Sequence, residues 1–467
     1  MPWTETAPGR WQRPIGENEA MIKMIGDQGQ RFGKDIWTIS VTAEFEVETA
    51  NDNFSVNRML VDGWKALRFH HPSIASFSDD EDQNTVVYEV PDALALENWA
   101  TETFVCIETN ESPNDVVATL SPRRFTTLFY LPKHATIILA ISHWHTDGVG
   151  AMHLLSEYAR CVVDVQDHPN PAQLPWGEEV PRLVPSVEEA LNLPTTPTPN
   201  VECLARDYLK PLGPPLPSPY KSGETVVPKG TRQISLRLSR DETMELESTC
   251  SRLGLCIEAA LHSSVAATAY SICPDQDDKL FISSLRQSLR PHLPTPLNGA
   301  AGAAGLYTSA YRVAVSASQS WLQKAKQYDA EYRRGATPEL LSSRRQYALV
   351  MKEHLQKLTM PPPTSADGAP PPPPPSGLDI SWVPDVPALV QPVHTGLAGS
   401  FRIRHVVLAV DLLSRHVFIF GLIFDGRLEL NVAYNEGFYE EALAREVLDL
   451  TRKHLADNLS RSSGLHE

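Results

Sequence analysis

Apolar residues in the first part of the chain follow two different periods. The segment 35–47, DIWTISVTAEFEV, alternates apolar and polar residues, which predicts a half-buried β-strand. Val56, Leu60 and Trp64 then follow at intervals of four residues, which predicts an amphipathic helix. Pro72 prevents that helix from continuing, because the residue before a proline avoids helical backbone angles. A strand is therefore followed by a helix at the start of the chain.

A second strand and helix follow further along. The segments 124–131 and 135–142 are predicted to be paired strands, and the second, ATIILAIS, is apolar enough to be buried on both faces. Apolar residues three or four positions apart over 149–159 predict a helix. The segment 142–148 therefore lies in a loop between a buried strand and a helix, where catalytic groups are commonly found.

The rest of the chain shows the same mixture of periods. Helices are predicted at 242–253, 257–270 and 440–454. Strands are predicted at 279–285, 307–315, 400–410, 416–424 and 428–433. Helices and strands mixed along the whole chain indicate the α/β class.

Two proline-rich segments divide the chain. Ten prolines lie within 181–220, and because proline fixes φ and lacks an N–H group, this segment is predicted to be an extended crossover linker. It separates an N-terminal half, 1–180, from a C-terminal half, 221–467. A second segment, 360–376, contains six consecutive prolines and is predicted to be a polyproline II surface loop with no catalytic role. Recognition of that loop by a partner protein is the alternative.

Composition and charge narrow the classes of function. Hydrophobic residues make up 42% and charged residues 21% of the 467 residues, as in an average globular protein. The net charge of −16 and the absence of a Lys/Arg cluster argue against nucleic acid as a partner. The six cysteines are scattered, which is typical of free thiols in a reducing compartment. The most apolar stretch is interrupted by polar residues, which argues against a membrane span. We also expect a cytoplasmic protein and a monomer.

The residues with chemical potential concentrate in 142–148, SHWHTDG. One interpretation is a metal site, because His143, His145 and Asp147 have the H-x-H-x-D spacing of metallo-β-lactamase-type centres, which suits zinc or iron. The next histidine of that pattern is replaced by Gly148, and later histidines lack the spacing of further ligands. We therefore expect no metal.

The second interpretation is the motif H-x-x-x-D-G. Here His143 supplies one imidazole that takes the proton of a hydroxyl group near neutral pH. Asp147 would support the loop by pairing with an arginine and accepting backbone N–H groups, and Gly148 would let the chain turn tightly where the helix starts. His145 is expected to pack beside the loop. A structural, hydrogen-bonded histidine is the alternative that the motif alone leaves open.

Four stretches of the sequence carry a resemblance to a known superfamily. They are ALRFHHPSI at 66–74, SHWHTDGVGAMHLL at 142–155, SLRQSLRPHLP at 284–294 and LELNVAYNEGFYEEALAREVLDL at 428–450. In this order they resemble the superfamily of plant BAHD acyltransferases, nonribosomal peptide condensation domains and fungal trichothecene acetyltransferases. The similarity is greatest to fungal trichothecene 15-O-acetyltransferase-like proteins, including the opening WQRP at 11–14.

The resemblance implies a fold and an activity. The fold would be two condensation-like, chloramphenicol-acetyltransferase-like α/β halves that form a pseudo-dimer with a central tunnel around His143. The activity would be transfer of an acyl group, by resemblance acetyl from acetyl-CoA, to a hydroxyl of a secondary metabolite such as a terpenoid or polyketide. His143 would be the general base, and Asp147, Gly148 and Arg286 would support its loop, with Arg286 pairing with Asp147. The cofactor-binding residues are not identified, and Arg290 is either a second partner for Asp147 or a surface charge.

The sequence departs from the superfamily in one motif. The plant-type D-F-G-W-G motif is absent, and Phe424-Asp425-Gly426 is only a turn between strands. This leaves an alternative activity, a condensation-like cyclase or isomerase of secondary metabolism, for example a pericyclase, that uses His143 without acyl-CoA. A binding protein without catalysis is a further alternative, disfavoured by the intact His143 and Asp147.

Overall fold

A computed structural model describes residues 2–49, 55–167, 170–221, 226–359 and 375–463 of the protein. The predicted polyproline loop, 360–376, lies almost entirely outside these residues. The described helices are α1 Glu17–Asp27, α2 Val56–His70, α3 Ala93–Thr103, α4 Pro113–Thr119, α5 Gly148–Asp167, α6 Val187–Ala190, α7 Pro199–Asp207, α8 Arg240–Arg252, α9 Ile257–Ile272, α10 Trp321–Arg334, α11 Pro338–Thr359, α12 Val386–Leu389 and α13 Glu441–Ser463.

The described strands, which confirm the α/β class, are β1 Thr4–Ala7, β2 Arg10–Pro14, β3 Ile39–Thr49, β4 Phe77–Ser78, β5 Thr85–Glu89, β6 Phe104–Cys106, β7 Thr127–Leu131, β8 Thr136–Ile141, β9 Thr231–Arg237, β10 Leu280–Ser288, β11 Thr308–Ser316, β12 Ser376–Trp382, β13 Val393–Thr395, β14 Gly399–Val410, β15 Arg415–Phe424 and β16 Arg427–Asn435. None of the helices in the described part of the chain is both long and apolar enough to cross a membrane.

The chain forms two compact units, and neither is a continuous segment. The first unit contains Met1–Leu193, Ser288–Thr308 and Val383–Asp411. The second unit contains Pro194–Gln287, Ser309–Trp382 and Leu412–Glu467. The boundaries expected from composition, 1–180 and 221–467, differ from this division because two segments beyond residue 221 lie in the first unit. Proline content marks breaks in the chain, but it does not reveal which distant strands pair.

The segment 181–220 also differs from the extended linker expected for it. Helices α6 and α7 form within it. Helix α7 begins at Pro199, a position at which proline is tolerated because the first helical N–H group has no partner inside the helix. The hydroxyl of Thr198 accepts a hydrogen bond from the N–H group of Val201 and caps this helix, at 3.4 Å. Part of the proline-rich segment is therefore helical.

A six-stranded sheet forms the core of the first unit, in the order β13-β14-β3-β8-β7-β6. Its neighbouring strands are antiparallel except for β6 and β7. Helix α5 packs on β3 and β14, and helix α2 packs on α5. The two helices approach closely at Gly63, where a Cβ atom would lie 2.6 Å from the Val162 Cγ2 atom. The sheet and α5 together hold the loop that carries His143.

The second unit contains a four-stranded sheet in the order β12-β15-β16-β9, in which only the pair β12 and β15 is parallel. Helix α9 packs on α10 and α13, and α13 packs on β16. The strands predicted at 400–410 and 416–424 are present as β14 and β15, but β14 belongs to the first unit and β15 to the second.

Candidate active site

The loop that carries His143 follows a fully buried strand. All six residues of β8 are buried, and the chain then turns, with the His145 N–H group donating to the Ser142 carbonyl at 3.0 Å. Helix α5 begins at Gly148. His143 is half-buried, whereas His145 and Asp147 are buried. The predicted buried strand, loop and helix are therefore present.

The carboxylate of Asp147 is saturated with hydrogen bonds. Its Oδ1 atom accepts from the Gly150 N–H group at 2.9 Å and from Arg290 Nη1 at 2.7 Å. Its Oδ2 atom accepts from Arg290 Nη1 at 2.9 Å and from the Tyr307 N–H group at 2.8 Å. Its own carbonyl accepts from the Ala151 N–H group at 2.8 Å. Asp147 thus caps helix α5 and also neutralises the buried Arg290, so one side chain satisfies both the helix N-terminus and the arginine charge.

The predicted arginine partner of Asp147 was wrong. Arg286, the expected partner, lies in strand β10 and donates to Asp379 Oδ2 at 2.8 Å and to the Ile380 carbonyl at 2.8 Å. The actual partner is Arg290. The tripeptide Ser-Leu-Arg occurs twice in succession and ends first at Arg286 and then at Arg290, so the sequence pattern offers both. The strand ends between them, and only the second arginine lies in the loop that approaches Asp147.

Arg290 is built into the structure by more than its ion pair. It begins a single 3₁₀ turn after β10, and its Nη2 atom donates to the carbonyls of Gly302 and Gly305, at 3.1 Å each. The side chains of Arg290 and Asp147 are 3% and 4% exposed. The planar guanidinium donates hydrogen bonds to a carboxylate and two carbonyls at once. Arginine can do this and lysine cannot, because lysine has a single ammonium group.

Gly150 is a site residue that the sequence interpretation missed. A Cβ atom at this position would lie 2.2 Å from the Ala303 carbonyl oxygen, 2.2 Å from Thr146 Oγ1 and 2.7 Å from Arg290 Nη2. The Thr146 hydroxyl donates to that same carbonyl at 2.6 Å. Any side chain at 150 would push the Arg290 loop away from the helix. The sequence feature that could have indicated this close packing is the second glycine of Asp-Gly-Val-Gly.

Gly148 plays a different part from the one expected. Its backbone is not in the left-handed region, so no tight turn requires a glycine there. A Cβ atom would instead come within 3.3 Å of Leu408 Cδ2, on strand β14. Gly148 therefore permits close packing of the first turn of α5 on the sheet.

His145 packs inside the first unit, as expected. Its ring lies 3.6 Å from the Trp144 ring, centroid to centroid, at 35°. The residue is 8% exposed. Burial, with smaller contributions from the charges of Arg13 and Lys23, lowers the pKa of His145 to about 3. The imidazole is therefore neutral at physiological pH and enclosed by protein.

The residues do not assemble the metal centre suggested by the H-x-H-x-D spacing. Asp147 already accepts four hydrogen bonds, and His145 is enclosed beside Trp144. Within the described ranges, no group of three or more histidine, cysteine, aspartate or glutamate side chains is placed to hold a metal ion.

Two neighbours of the loop that carries His143 were not predicted. The 35–47 segment was expected to be strand throughout, but β3 begins only at Ile39, so 35–38 forms a loop. In that loop the Trp37 ring lies 6.2 Å from the His143 ring, centroid to centroid, at 59°. Burial raises the pKa of the Asp35 carboxyl, and the nearby side chains of Ser142 and Thr38 oppose that rise. A strand pattern does not show which loop residues flank a site across the sheet.

Comparison with known proteins identifies relatives of the whole chain. No model of a protein family matches it. The chain is 37% identical over 465 residues to acetyltransferase pigO of Monascus ruber, and the alignment covers 98% of each protein. It is 24% identical over 470 residues to O-acetyltransferase pigM of Monascus ruber, covering 98% of this chain and 88% of pigM.

A solved structure gives the fold. The TRI3 trichothecene 15-O-acetyltransferase from Fusarium sporotrichioides superposes with a TM-score of 0.77 at 17% identity, covering 97% of both chains. The fold is that of the condensation-like acyltransferases, which confirms the fold expected from the resemblance.

Replacement of Asp147 by alanine should strongly destabilise the protein. Arg290 would remain buried without its carboxylate, and breaking a buried pair in this way costs about 3–5 kcal/mol. The free energy of unfolding should be measured by denaturant titration. Arg445→Ala, which breaks an exposed pair with Glu441, is the matched control and should change little. An unchanged denaturation midpoint for Asp147→Ala would contradict a stabilising Asp147–Arg290 pair.

Stability should fall as the solution is acidified. Burial lowers the pKa of His145 to about 3, whereas an unfolded histidine titrates near ~6.5. Below that pH the unfolded chain binds a proton that folded His145 cannot bind, so acid favours unfolding from about pH 6.5 down to about pH 3. His145→Gln should reduce the loss of unfolding free energy between pH 7 and pH 5 by up to about 2 kcal/mol.

Chemical denaturation at the two pH values measures this effect. His354→Gln, at an exposed position on α11, is the control and should leave the pH dependence as it is in the wild type. Equal pH dependence in wild type and His145→Gln would show that His145 does not titrate as its burial requires.

Proposed function

The chain belongs to the family of fungal acetyltransferases represented by pigO, and from that premise we propose that it transfers an acetyl group from acetyl-CoA to a hydroxyl group of a secondary metabolite. His143 is the general base in this proposal. The observation that supports it most is the position of His143, half-buried in a loop that a buried strand and a buried ion pair hold on both sides.

The reaction needs one proton acceptor. His143 takes the proton of the acceptor hydroxyl as its oxygen attacks the thioester carbonyl, so that a carbon–oxygen bond forms and the carbon–sulfur bond breaks. The sulfur leaves with the proton that His143 returns, and the products are the acetate ester and CoA as a thiol. General-base catalysis of this kind accounts for roughly 10²–10⁴-fold of the rate.

The electrostatics of the loop favour His143 over its neighbours for this role. The charge of Asp147 is neutralised by Arg290, and both are buried, so Asp147 has a positioning role and is not a base. His145 is enclosed, and its pKa of about 3 leaves it a weak proton acceptor. His143 is the loop histidine that remains accessible.

The acceptor in the proposal is a terpenoid or polyketide alcohol. TRI3, which has the same fold, is described as a trichothecene 15-O-acetyltransferase, so this fold supports acetylation of a hydroxyl on a small natural product. Because one fold hosts many substrates, the acceptor has to be found by assay.

His143→Ala should leave the fold intact and nearly abolish turnover. Removing a half-buried imidazole leaves the packing around Asp147 in place, while the loss of the general base should lower kcat by roughly 10²–10⁴-fold. Purified protein is incubated with acetyl-CoA and a panel of terpenoid and polyketide alcohols. Free thiol is measured by colorimetry and the ester by mass spectrometry, and His145→Gln is the control with a much smaller expected effect.

The pH profile provides a second measurement on the same variants. A protonated imidazole cannot accept the hydroxyl proton, so kcat/KM of the wild type should rise with pH and then level off. This rise should be absent from the residual activity of His143→Ala. Conversion of a panel alcohol to an isomer without acetyl-CoA would favour the cyclase alternative, and full activity of His143→Ala would refute the assignment of the base.

A further inference from the structure

The loop before β3 lies alongside the catalytic loop because of the register of the sheet. The last residue pair between β3 and β8 is Ile39 opposite Ile141. Beyond this pair the two segments continue as loops at the same end of the sheet, where Trp37 lies next to His143. The ring separation of 6.2 Å lies within the range of aromatic contacts, roughly 4.5–7 Å.

The backbone of Trp37 adopts a conformation that its residue type disfavours. Its φ angle is 70°, in the left-handed region, where the Cβ atom of an L-residue meets the backbone. The surrounding hydrogen bonds hold it there. The Trp37 N–H group donates to the Asp411 carbonyl at 2.8 Å, and the Asp411 N–H group donates to the Thr38 carbonyl at 2.9 Å. Such strain persists only where the structure maintains it, and it clusters at functional sites.

The same loop also holds the residue before His143. The Thr38 N–H group donates to the Asp35 carbonyl at 3.0 Å, and the Thr38 hydroxyl donates to Asp35 Oδ2 at 3.2 Å. The side chain of Ser142 lies near the Asp35 carboxyl and opposes the rise in its pKa that burial causes. Residues 35–38 therefore lie beside both Ser142 and His143.

We propose that Trp37 is a positioning residue for His143. The indole ring of Trp37 restricts the orientation of the His143 imidazole in the reaction proposed above. Such a contact narrows the range of ring orientations, because the χ2 torsion of histidine is broad and only weakly restricted by its own bonds. A half-buried ring also lacks the complete enclosure that holds His145. The residue with the strained backbone is thus the one whose ring contacts His143.

Three substitutions distinguish the effect of the Trp37 ring from the effect of its strained backbone. Trp37→Phe keeps an aromatic ring, Trp37→Leu removes it, and Trp37→Gly removes it while relieving the left-handed strain. With acetyl-CoA and the alcohol found in the preceding assay, the Leu and Gly variants should lose about 10- to 100-fold in kcat, as a displaced catalytic group does. The KM for acetyl-CoA should change little, and Trp37→Phe should recover most of the rate. Phe32→Leu, at an exposed aromatic residue of the same segment, is the control.

A double-mutant comparison tests whether Trp37 acts through His143. In the His143→Ala background, Trp37→Leu should lower the residual rate no further, because the positioned group is absent. A further loss equal to that seen in the wild-type background would overturn the proposal and show that Trp37 acts on the substrate. Full activity of Trp37→Gly would overturn it as well.

A chemical probe tests the ring contact without relying on acetyl transfer. Diethyl pyrocarbonate modifies accessible neutral imidazoles, and peptide mapping reports the rate at His143 separately from the exposed His354. Trp37→Gly should increase the modification rate of His143 severalfold and leave that of His354 unchanged. An unchanged rate at His143 would refute the contact. If the wild type acetylates no alcohol but this rate increases, the proposed function fails while the contact between the two residues stands.

Discussion

The structure around the loop depends on the buried ion pair between Asp147 and Arg290. Each partner is too well buried to be stable as an isolated charge, so each requires the other. Asp147 caps the start of helix α5, and Arg290 lies in a loop far along the chain that also contains Ala303 and Tyr307. The pair thus joins two distant parts of the first unit and keeps the residues before the helix, including His143, in one position.

The ion pair forms only where helix α5 and the Arg290 loop pack closely. The Arg290 loop can approach α5 only because Gly150 has no side chain, and a Cβ atom at Gly148 would lie 3.3 Å from Leu408 Cδ2 on the sheet. Both glycines act through the space that they leave, at ordinary helical backbone angles. The glycines following Asp147 are therefore part of the same constraint as the ion pair, since a side chain at 150 would separate the two charges.

The charges and histidines of the loop are divided among distinct tasks. The Asp147 carboxylate is saturated by Arg290 and by backbone N–H groups, and the His145 ring is held neutral by burial. That leaves the half-buried His143 between these fixed groups on one side and the strained loop with Trp37 on the other. For the base role that we propose for His143, neighbours of this kind favour one ring orientation.

The sequence by itself determined the local features. Periodicity predicted the buried strand β8, the helix α5 and the loop between them. The resemblance, carried by four stretches that include His143 and Asp147, predicted the fold. These features depend on neighbours in the chain, which a sequence displays. Only the tertiary structure decided that Arg290 and not Arg286 meets Asp147, that β14 joins the first unit, and that Trp37 lies beside His143. The physical reason is that packing between distant segments sets where a strand ends and which strand it pairs with. A shift of a few residues in the end of β10 decides whether Arg286 or Arg290 lies opposite Asp147.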